Sequence, residues 1–365
     1  MAGLRVLAAG PLSTVQDTGR FGHQRFGVST AGAFDPLYLA AGNALVGNRW
    51  DEGAVEMTLR GETWEVLAES CRVGIAGDFD VSIGDRQVAS WRTHTLHRGD
   101  VLRIGAARRR DVRGYFAVAG GFAVPPVLGS VSTHIRTRLG GVEGRPLKSG
   151  DFLPLRDAVA PNKADLMLAR AALPRRDAVL RVVLGPQDDH FTAAWLETFF
   201  SAEFSISPES DRMGCRLAGP VIEHDRARGY NIISDGIPPG AVQVPGTGLP
   251  IVLGPDRQTT GGYPKIACVI LPDVAALAQR RPGDRLRFRA ISEEEARAAH
   301  LGFRRLLAEE LPRRTAPAGA DALRSERLLA LNLIGGVVDA GGVGLEETAG
   351  PQPSRSGHGY HRRTG

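Results

Sequence analysis

At 365 residues and 42% hydrophobic content, the chain has enough apolar material for two domains with separate cores. Its formal charge of +5 arises from 45 basic residues set among 40 acidic ones. The excess is scattered as Arg pairs, with Arg108-Arg109-Arg110 the run of three. A nucleic-acid binder would concentrate such charge in a stripe with interleaved aromatics, so no nucleic-acid partner is expected and a small anionic substrate suits the modest excess.

Three dispersed cysteines, Cys71, Cys215 and Cys268, fit neither a disulfide framework nor a paired-Cys zinc site. They suit a reducing, cytoplasmic setting, each as a small core residue. No stretch reaches the ~18 apolar residues of a membrane span. Residues 1–10 read as a first strand rather than a signal peptide.

The 46 glycines and 23 prolines lie between short apolar runs, which predicts many turns and a mainly β architecture. One helix interrupts the first strands: Asp35 is its N-cap, Pro36 its first residue and Gly47 its end. Period-two alternation then places Val55, Met57 and Leu59 on one strand face. Phe79, Val81 and Ile83 repeat it and run into a Gly84-Asp85 hairpin turn. Residues 101–104 and 115–118 read as further strands. The pattern breaks into a polar linker with one short helix, and a second β-rich unit starts at Leu180. That unit holds a helix over about 190–200, capped by Asp188 or Asp189, and closes near Ala290. The strings 150–155 and 283–288 both begin Gly-Asp, a hint of duplication that common Gly-Asp turns also explain. Ser292 and Glu295 form a capping box for a helix that Pro312 stops. Another helix is expected over 321–334, ended by Gly335. The expected domains are 1–158 and 179–291, joined by a linker over 159–178. A helical extension over 292–340 and a disordered tail over 341–365 follow. His358 and His361 read as part of a solvated tail rather than a metal site.

Several chemistries lack their motifs. The chain has no G-x-x-x-x-G-K-[ST] loop, no G-x-G-x-x-G after a strand, no H-E-x-x-H and no G-x-S-x-G. No built-in metal is therefore expected.

Four polar, glycine-flanked strings remain. In VQDTGRFG (15–22), Gln16, Asp17 and Arg20 make either a close-approach ligand site or a surface turn with an ion pair. In AGAFD (31–35), Asp35 is foremost an N-cap, although the helix end it caps could hold an anion. Ser130 and Ser132 of LGSVST (128–133) bind an oxyanion or form turns. The string PDRQTTGGYPK (255–265) is the most distinctive, with Gln243 shortly before it. Asp256, Arg257, Gln258, Thr260, Tyr263 and Lys265 crowd acid, guanidinium, amide, hydroxyl, phenol and ammonium around Gly261 and Gly262. That density favours a functional site on a rigid β scaffold.

Together with SDRMG (210–214), these strings resemble the family variously called allophanate hydrolase subunit 2, biotin-dependent carboxyltransferase subdomain, KipI antagonist or the C subunit of 5-oxoprolinase. The likeness covers about residues 4–292. It implies two cyclophilin-like β-barrel domains with a few short helices, beside a helical C-terminal extension outside the shared core. It also implies a tight complex with a small, KipI-like partner of related fold (the B subunit of 5-oxoprolinase) and an active site near their junction. The family often has Met where Phe34 stands and an acidic residue near Thr247; the second departure removes a carboxylate from that loop.

Three activities follow from the resemblance. The first couples ATP hydrolysis to opening 5-oxoproline to glutamate, with a large LamB/YcsF-type subunit as further partner and ATP with Mg²⁺ as co-substrate. Activating a lactam carbonyl demands oxyanion stabilisers, for which Arg257, Lys265, Thr260, Gly261 and Gly262 are expected, with Asp256 or Asp17 as base. The second is carboxyl transfer from carboxybiotin to urea or a similar amide, with Gln16, Asp17 and Gln243 holding the acceptor. None of Met1, Met57, Met167 or Met213 has a neighbouring Lys, so no biotin is attached to this chain. The third is a non-enzymatic regulator that sequesters a kinase inhibitor. The absence of a carrier or amidase module favours the first over the second.

Overall fold

Alternating apolar and polar residues lay the first half of the chain out as eleven short strands. These are β1 (Gly3–Ala8), β2 (Leu12–Gln16), β3 (Ala54–Thr58), β4 (Thr63–Val66), β5 (Ser70–Ala76), β6 (Phe79–Ile83), β7 (Arg86–Val88), β8 (Thr93–His97), β9 (Val101–Ala107), β10 (Arg113–Val118) and β11 (Phe152–Pro154). They assemble into a six-stranded sheet, β11-β1-β4-β9-β6-β7, and a five-stranded sheet, β2-β3-β10-β5-β8. A common core holds both sheets together: Trp64 of β4 stacks on Phe116 of β10 at 5.2 Å, among Leu4, Val6, Val55, Met57, Ile75 and Leu102. The hairpin expected at Gly84 is present, with Ile83 paired to Arg86. Leu59 departs from expectation. Its φ of 62° breaks the strand after Thr58, so its side chain is 52% exposed rather than continuing the buried face.

Helix α1 (Pro36–Val46) is bounded as its sequence predicts, with the Asp35 side chain accepting from Tyr38 N and Gly47 in the left-handed region at φ 78°. Its residues are buried from Leu37 to Val46, as an all-round apolar composition requires. Gly74 of β5 lets it approach the sheet closely, since a Cβ there would stand 3.0 Å from Leu45 Cβ and 3.1 Å from Gly42 O.

The structure, a computed structural model, describes residues 2–108, 111–174 and 177–318, which belong to one compact unit, Met1–Ala318. The helix expected over 321–334 and the tail with His358 and His361 lie outside the described residues. The connecting stretch carries β12 (Leu166–Met167) and a 3-10 turn, Arg170–Ala172, in place of the expected short helix. It is tied down rather than free: Arg72 Nη1 donates to Lys163 O at 2.8 Å, and Leu168 is buried.

The second half adds β13 (Val179–Leu184), β14 (Phe204–Ile206), β15 (Gly214–Ala218), β16 (Asp235–Gly236), β17 (Ala241–Gln243), β18 (Ile251–Leu253), β19 (Thr260–Gly261), β20 (Lys265–Val269) and β21 (Arg285–Ala290). Seven of them close a barrel in the order β13-β20-β17-β18-β15-β14-β21, while β16 and β19 form a separate ribbon. The mainly β fold expected from sequence is thus present, and the two halves differ in how their sheets close. The Gly-Asp strings also end differently: β11 runs antiparallel to β1, whereas β21 runs parallel to β13. The barrel core centres on Phe199 stacked against Phe288 at 4.5 Å.

The helix expected over 190–200 is α2 (Ala193–Ser201), preceded by a 3-10 turn at Asp188–His190. Asp188 and Asp189 therefore sit in that turn, and Thr192 occupies the N-cap without a side-chain bond. After α3 (Leu271–Leu277), α4 (Glu293–Arg305) opens on the predicted capping box of Ser292 and Glu295. Pro312 does not stop the chain's helical path. A π-helical segment, Leu306–Glu310, intervenes and α5 (Leu311–Arg314) continues through Pro312. Widening the turn before a proline relocates the bond that its missing N–H cannot make, and Leu306, Leu307 and Leu311 are buried against α1 as a result. The chain returns at β22 (Ala316–Pro317) to pair with β12. Among the described residues, no helix is long and apolar enough to cross a membrane.

Candidate functional site

The outer face of the barrel gathers several of the polar residues singled out in sequence. Across the ladder between β17 and β20, Ala241 opposes Cys268 and Gln243 opposes Lys265, with a register shift before Gln243. Side chains opposed in this way share a sheet face, and here it points away from the core of Val242, Val244 and Ile266. Residues 255–263 then cross this face, and β19 pairs with β16, Asp235 opposite Gly261. The result is a cleft of 980 Å³. Gln243, Gln258, Thr260, Gly261, Gly262 and Tyr263 lie along it with Asn231, Arg216 and, from the first half, Arg136. Gly261 is constrained by close approach: a Cβ there would sit 2.7 Å from Ile237 Cδ1 and 2.8 Å from Gln243 Nε2. Six of the residues singled out in sequence thus line one cavity.

Two buried cations neighbour its lining residues: Arg257 adjoins Gln258 in the chain, and Lys265 opposes Gln243 across the ladder. Arg257 is 3% exposed, with Nε donating to Ile237 O at 2.8 Å and Nη1 to Thr30 Oγ1 at 3.0 Å. It makes no ion pair among the described residues, and burial pushes its guanidinium down to about 10. Lys265 is 2% exposed and its ammonium meets Asp235 Oδ2 at 2.9 Å. The same oxygen accepts from Gln187 Nε2 at 3.3 Å. Hydrogen bonding from Lys265 holds the Asp235 carboxyl below its ordinary range.

The first-half strings form a knot beside this face rather than a second wall of it. Asp17 Oδ1 accepts from Ser132 Oγ at 2.5 Å, Ser130 Oγ at 2.6 Å and Gly19 N at 2.7 Å, while Oδ2 accepts from Val131 N at 2.8 Å. Both oxygens are engaged, three donors on Oδ1 and one on Oδ2, which fixes the half-buried carboxylate in place. Gln16 is buried, donating to Thr14 Oγ1 and Thr133 O. Arg20 is buried too, bonded to the carbonyls of Ser132 and Val127, and burial lowers its pKa despite the opposing charge of Asp17. Together these residues fold the loop over 17–31 against the barrel. Gln24 Nε2 donates to Ile237 O at 3.1 Å and Thr259 O at 2.9 Å, and Ser29 Oγ to Pro255 O at 3.1 Å.

Asp256 and Asp35 belong to a buried network between the halves. Arg212 Nε and Nη2 clasp the Asp256 carboxylate at 2.9 Å each, Nη1 bonds Glu56, and Nη2 reaches Gly32 O at 2.7 Å. Glu56 also accepts from Phe34 N at 2.9 Å and Tyr115 Oη at 2.5 Å. Burial opposes both charges, yet the Asp256 and Glu56 carboxylates raise Arg212, and Arg212 with Arg113 holds Glu56 below its usual range. Asp35 accepts from Gln279 Nε2 at 2.7 Å while capping α1, so the α1 N-terminus is filled by protein groups rather than open to an anion. Sequence reasoning missed Glu56, Arg212, Asp235, Gln187, Asn231 and Arg136 as participants. Only Arg212 carried a usable signal, as the centre of the SDRMG string.

No group of three or more His, Cys, Asp or Glu side chains is placed to hold a metal among the described residues. Residues 26–290 match the family model described as carboxyltransferase domain, subdomain A and B. The chain is 37% identical over 285 residues to the 5-oxoprolinase C subunit of Haemophilus influenzae, covering 78% of this chain and 90% of that one. With the 5-oxoprolinase C subunit of Escherichia coli it shares 38% over 295 residues, covering 80% and 93%. Its fold matches the solved urea carboxylase of Kluyveromyces lactis with a TM-score of 0.78 at 28% identity, covering 85% of this chain and 29% of that one.

Proposed function

Because this chain belongs to the carboxyltransferase domain family, subdomains A and B, we propose that it is the corresponding component of a cytoplasmic, ATP-dependent 5-oxoprolinase. The observation that carries this reading is the 37% and 38% identity to two proteins named as the C subunit of 5-oxoprolinase, across 90% and 93% of their lengths. The cleft supports it chemically. Opening a lactam by ATP requires negative charge to develop on the carbonyl oxygen, and a desolvated guanidinium without a carboxylate partner is poised to meet it. Arg257 has that character, and Thr260 with the backbone of Gly261 and Gly262 adds donors at the rim. The carboxamides of Gln243, Gln258 and Asn231 suit an amide substrate, since each offers both a donor and an acceptor. Asp17 and Asp256, with both oxygens engaged, shape the site and leave proton transfer to other groups. ATP with Mg²⁺ is a co-substrate of the assembled enzyme, whose other members are a small subunit of related fold and a large LamB/YcsF-type subunit.

A second reading, carboxyl transfer to urea or another amide from biotin carried on another chain, is favoured by the likeness to the urea carboxylase structure. The test is reconstitution with both partner subunits. Stoichiometric glutamate and ADP from 5-oxoproline and ATP support the first reading. Loss of bicarbonate-dependent urea carboxylation on omitting this chain from a biotin carboxylase system, with no 5-oxoproline turnover, supports the second.

A further inference from the structure

Lys265 and Asp235 are unequally held. The ammonium is sealed, its side chain 2% exposed, whereas the carboxylate that neutralises it is 53% exposed. A buried ammonium without an anion is strongly unfavourable, but a half-exposed carboxylate loses little on returning to water. The pair can therefore open in one direction only: Asp235 can leave, and Lys265 must then be given another anion. Asp235 is also lightly attached. Its Oδ1 accepts from the adjacent Gly236 N at 2.7 Å, and its backbone belongs to β16, a two-residue strand paired with the two residues of β19. Such a ribbon has little stability of its own. The preceding segment projects outward, Ile233 being 94% exposed. Gln187, by contrast, is anchored, its Oε1 accepting from Lys265 N at 3.3 Å. It would stay behind with its Nε2 free to donate when Asp235 departs.

We propose that Asp235 is the resident counter-ion of Lys265, a stand-in for the carboxylate of a small anionic substrate that displaces it. The incoming carboxylate takes the Lys265 ammonium and the Gln187 carboxamide. Because β19 carries Thr260 and Gly261, release of β16 also frees the wall of the cleft beside Gln243. The inference rests on the functional reading above in placing substrate on this face. It deepens that reading by assigning the residues that select a carboxylate-bearing amide, such as a lactam carboxylate, over a neutral one such as urea.

The primary test needs no turnover. The full chain carrying Asp235→Asn is melted in increasing sodium formate and in matched sodium chloride. The expected result is a lower melting temperature than the unmutated chain in chloride and a saturable rise with formate alone. Adding Lys265→Met to the same chain should abolish the formate response. No formate response, an equal response in the double variant, or a chain that stays unfolded with formate overturns the proposal; folding only in formate supports it. In the reconstituted enzyme, Asp235→Asn should lower KM for 5-oxoproline about tenfold, as loss of a competing partner predicts, whereas a raised KM counts against it. If the unmutated enzyme does not turn over 5-oxoproline, the functional reading fails while the formate melts still decide the role of Asp235.

Discussion

Arg257 shows how a residue reads differently in sequence and in space. In the string it adjoins Asp256, but Asp256 is clasped by Arg212 and Arg257 turns to Ile237 O and Thr30. If it stabilises the oxyanion, Arg257→Ala should leave the partner complex intact and cut 5-oxoproline-dependent ATP hydrolysis by about 10²-fold. Arg257→Lys should fail as well, because an ammonium cannot serve two acceptors in the guanidinium's fixed geometry. Steady-state assays beside thermal melts check both, and near-normal turnover in the alanine variant would remove Arg257 from the site. A second residue, Glu62, is fully buried, and the neighbouring Ser13 hydroxyl and Gly10 N–H only partly offset that burial. Burial pushes its carboxyl up to about 7 from an ordinary 4.5. The folded state therefore holds a proton that the unfolded state releases, and stability falls as pH rises from about 4.5 to about 7. The full penalty above that range is about 3 kcal/mol. Glu62→Gln should raise the melting temperature at pH 8 and change it little at pH 4. An identical shift at both pH values would mean that folding does not raise the carboxyl.

Elements bounded by local chemistry are legible in the sequence, and those bounded by tertiary contact are not. Asp35, Pro36 and Gly47 delimit α1 because capping and left-handed backbone are decided within a few residues. The capping box of α4 is legible for the same reason, and Ser292→Ala should cost about 1 kcal/mol in chemical denaturation. A change below a few tenths would mean that the first turn of α4 is held by its packing instead. Leu59 and Pro312 escape a local reading because neighbours far along the chain decide them. Leu59 N bonds Val112 O as the strand breaks, and the leucines around Pro312 are buried against α1.

At the scale of the whole molecule, the two β-rich halves are joined through the Glu56–Arg212–Asp256 network. Removing one member of a buried ionic network leaves uncompensated charge, so Arg212→Ala should cost about 3–5 kcal/mol. Glu56→Gln combined with it in a double-mutant cycle should reveal coupling, and additive losses would show that the halves are held by other contacts. The loop that brings Gln24 to the barrel leaves Phe21 and Phe26 exposed at 68% and 67%. Apolar groups exposed in this way suit a partner. Co-expression with the small related protein should give a stable stoichiometric complex that Phe26→Ser weakens. Size-exclusion chromatography in which the chain ignores that protein would contradict it.

The mainly β character, the caps of α1 and α4 and the clustering of polar groups over residues 255–265 were determined by the sequence alone, because alternation, capping and local composition are short-range signals. Which polar residues line the cleft was decided only by tertiary structure. Asp17, Ser130, Ser132 and Arg20 are as polar as Gln258 or Thr260, yet contacts more than a hundred residues apart enclose them in a knot. The pairing of Lys265 with Asp235, thirty residues upstream, likewise depends on how β20 and the ribbon of β16 with β19 meet on one face of a closed barrel. A buried charge takes whichever partner the fold brings within reach, and that partner is set by the register of the strands rather than by its neighbours in the chain.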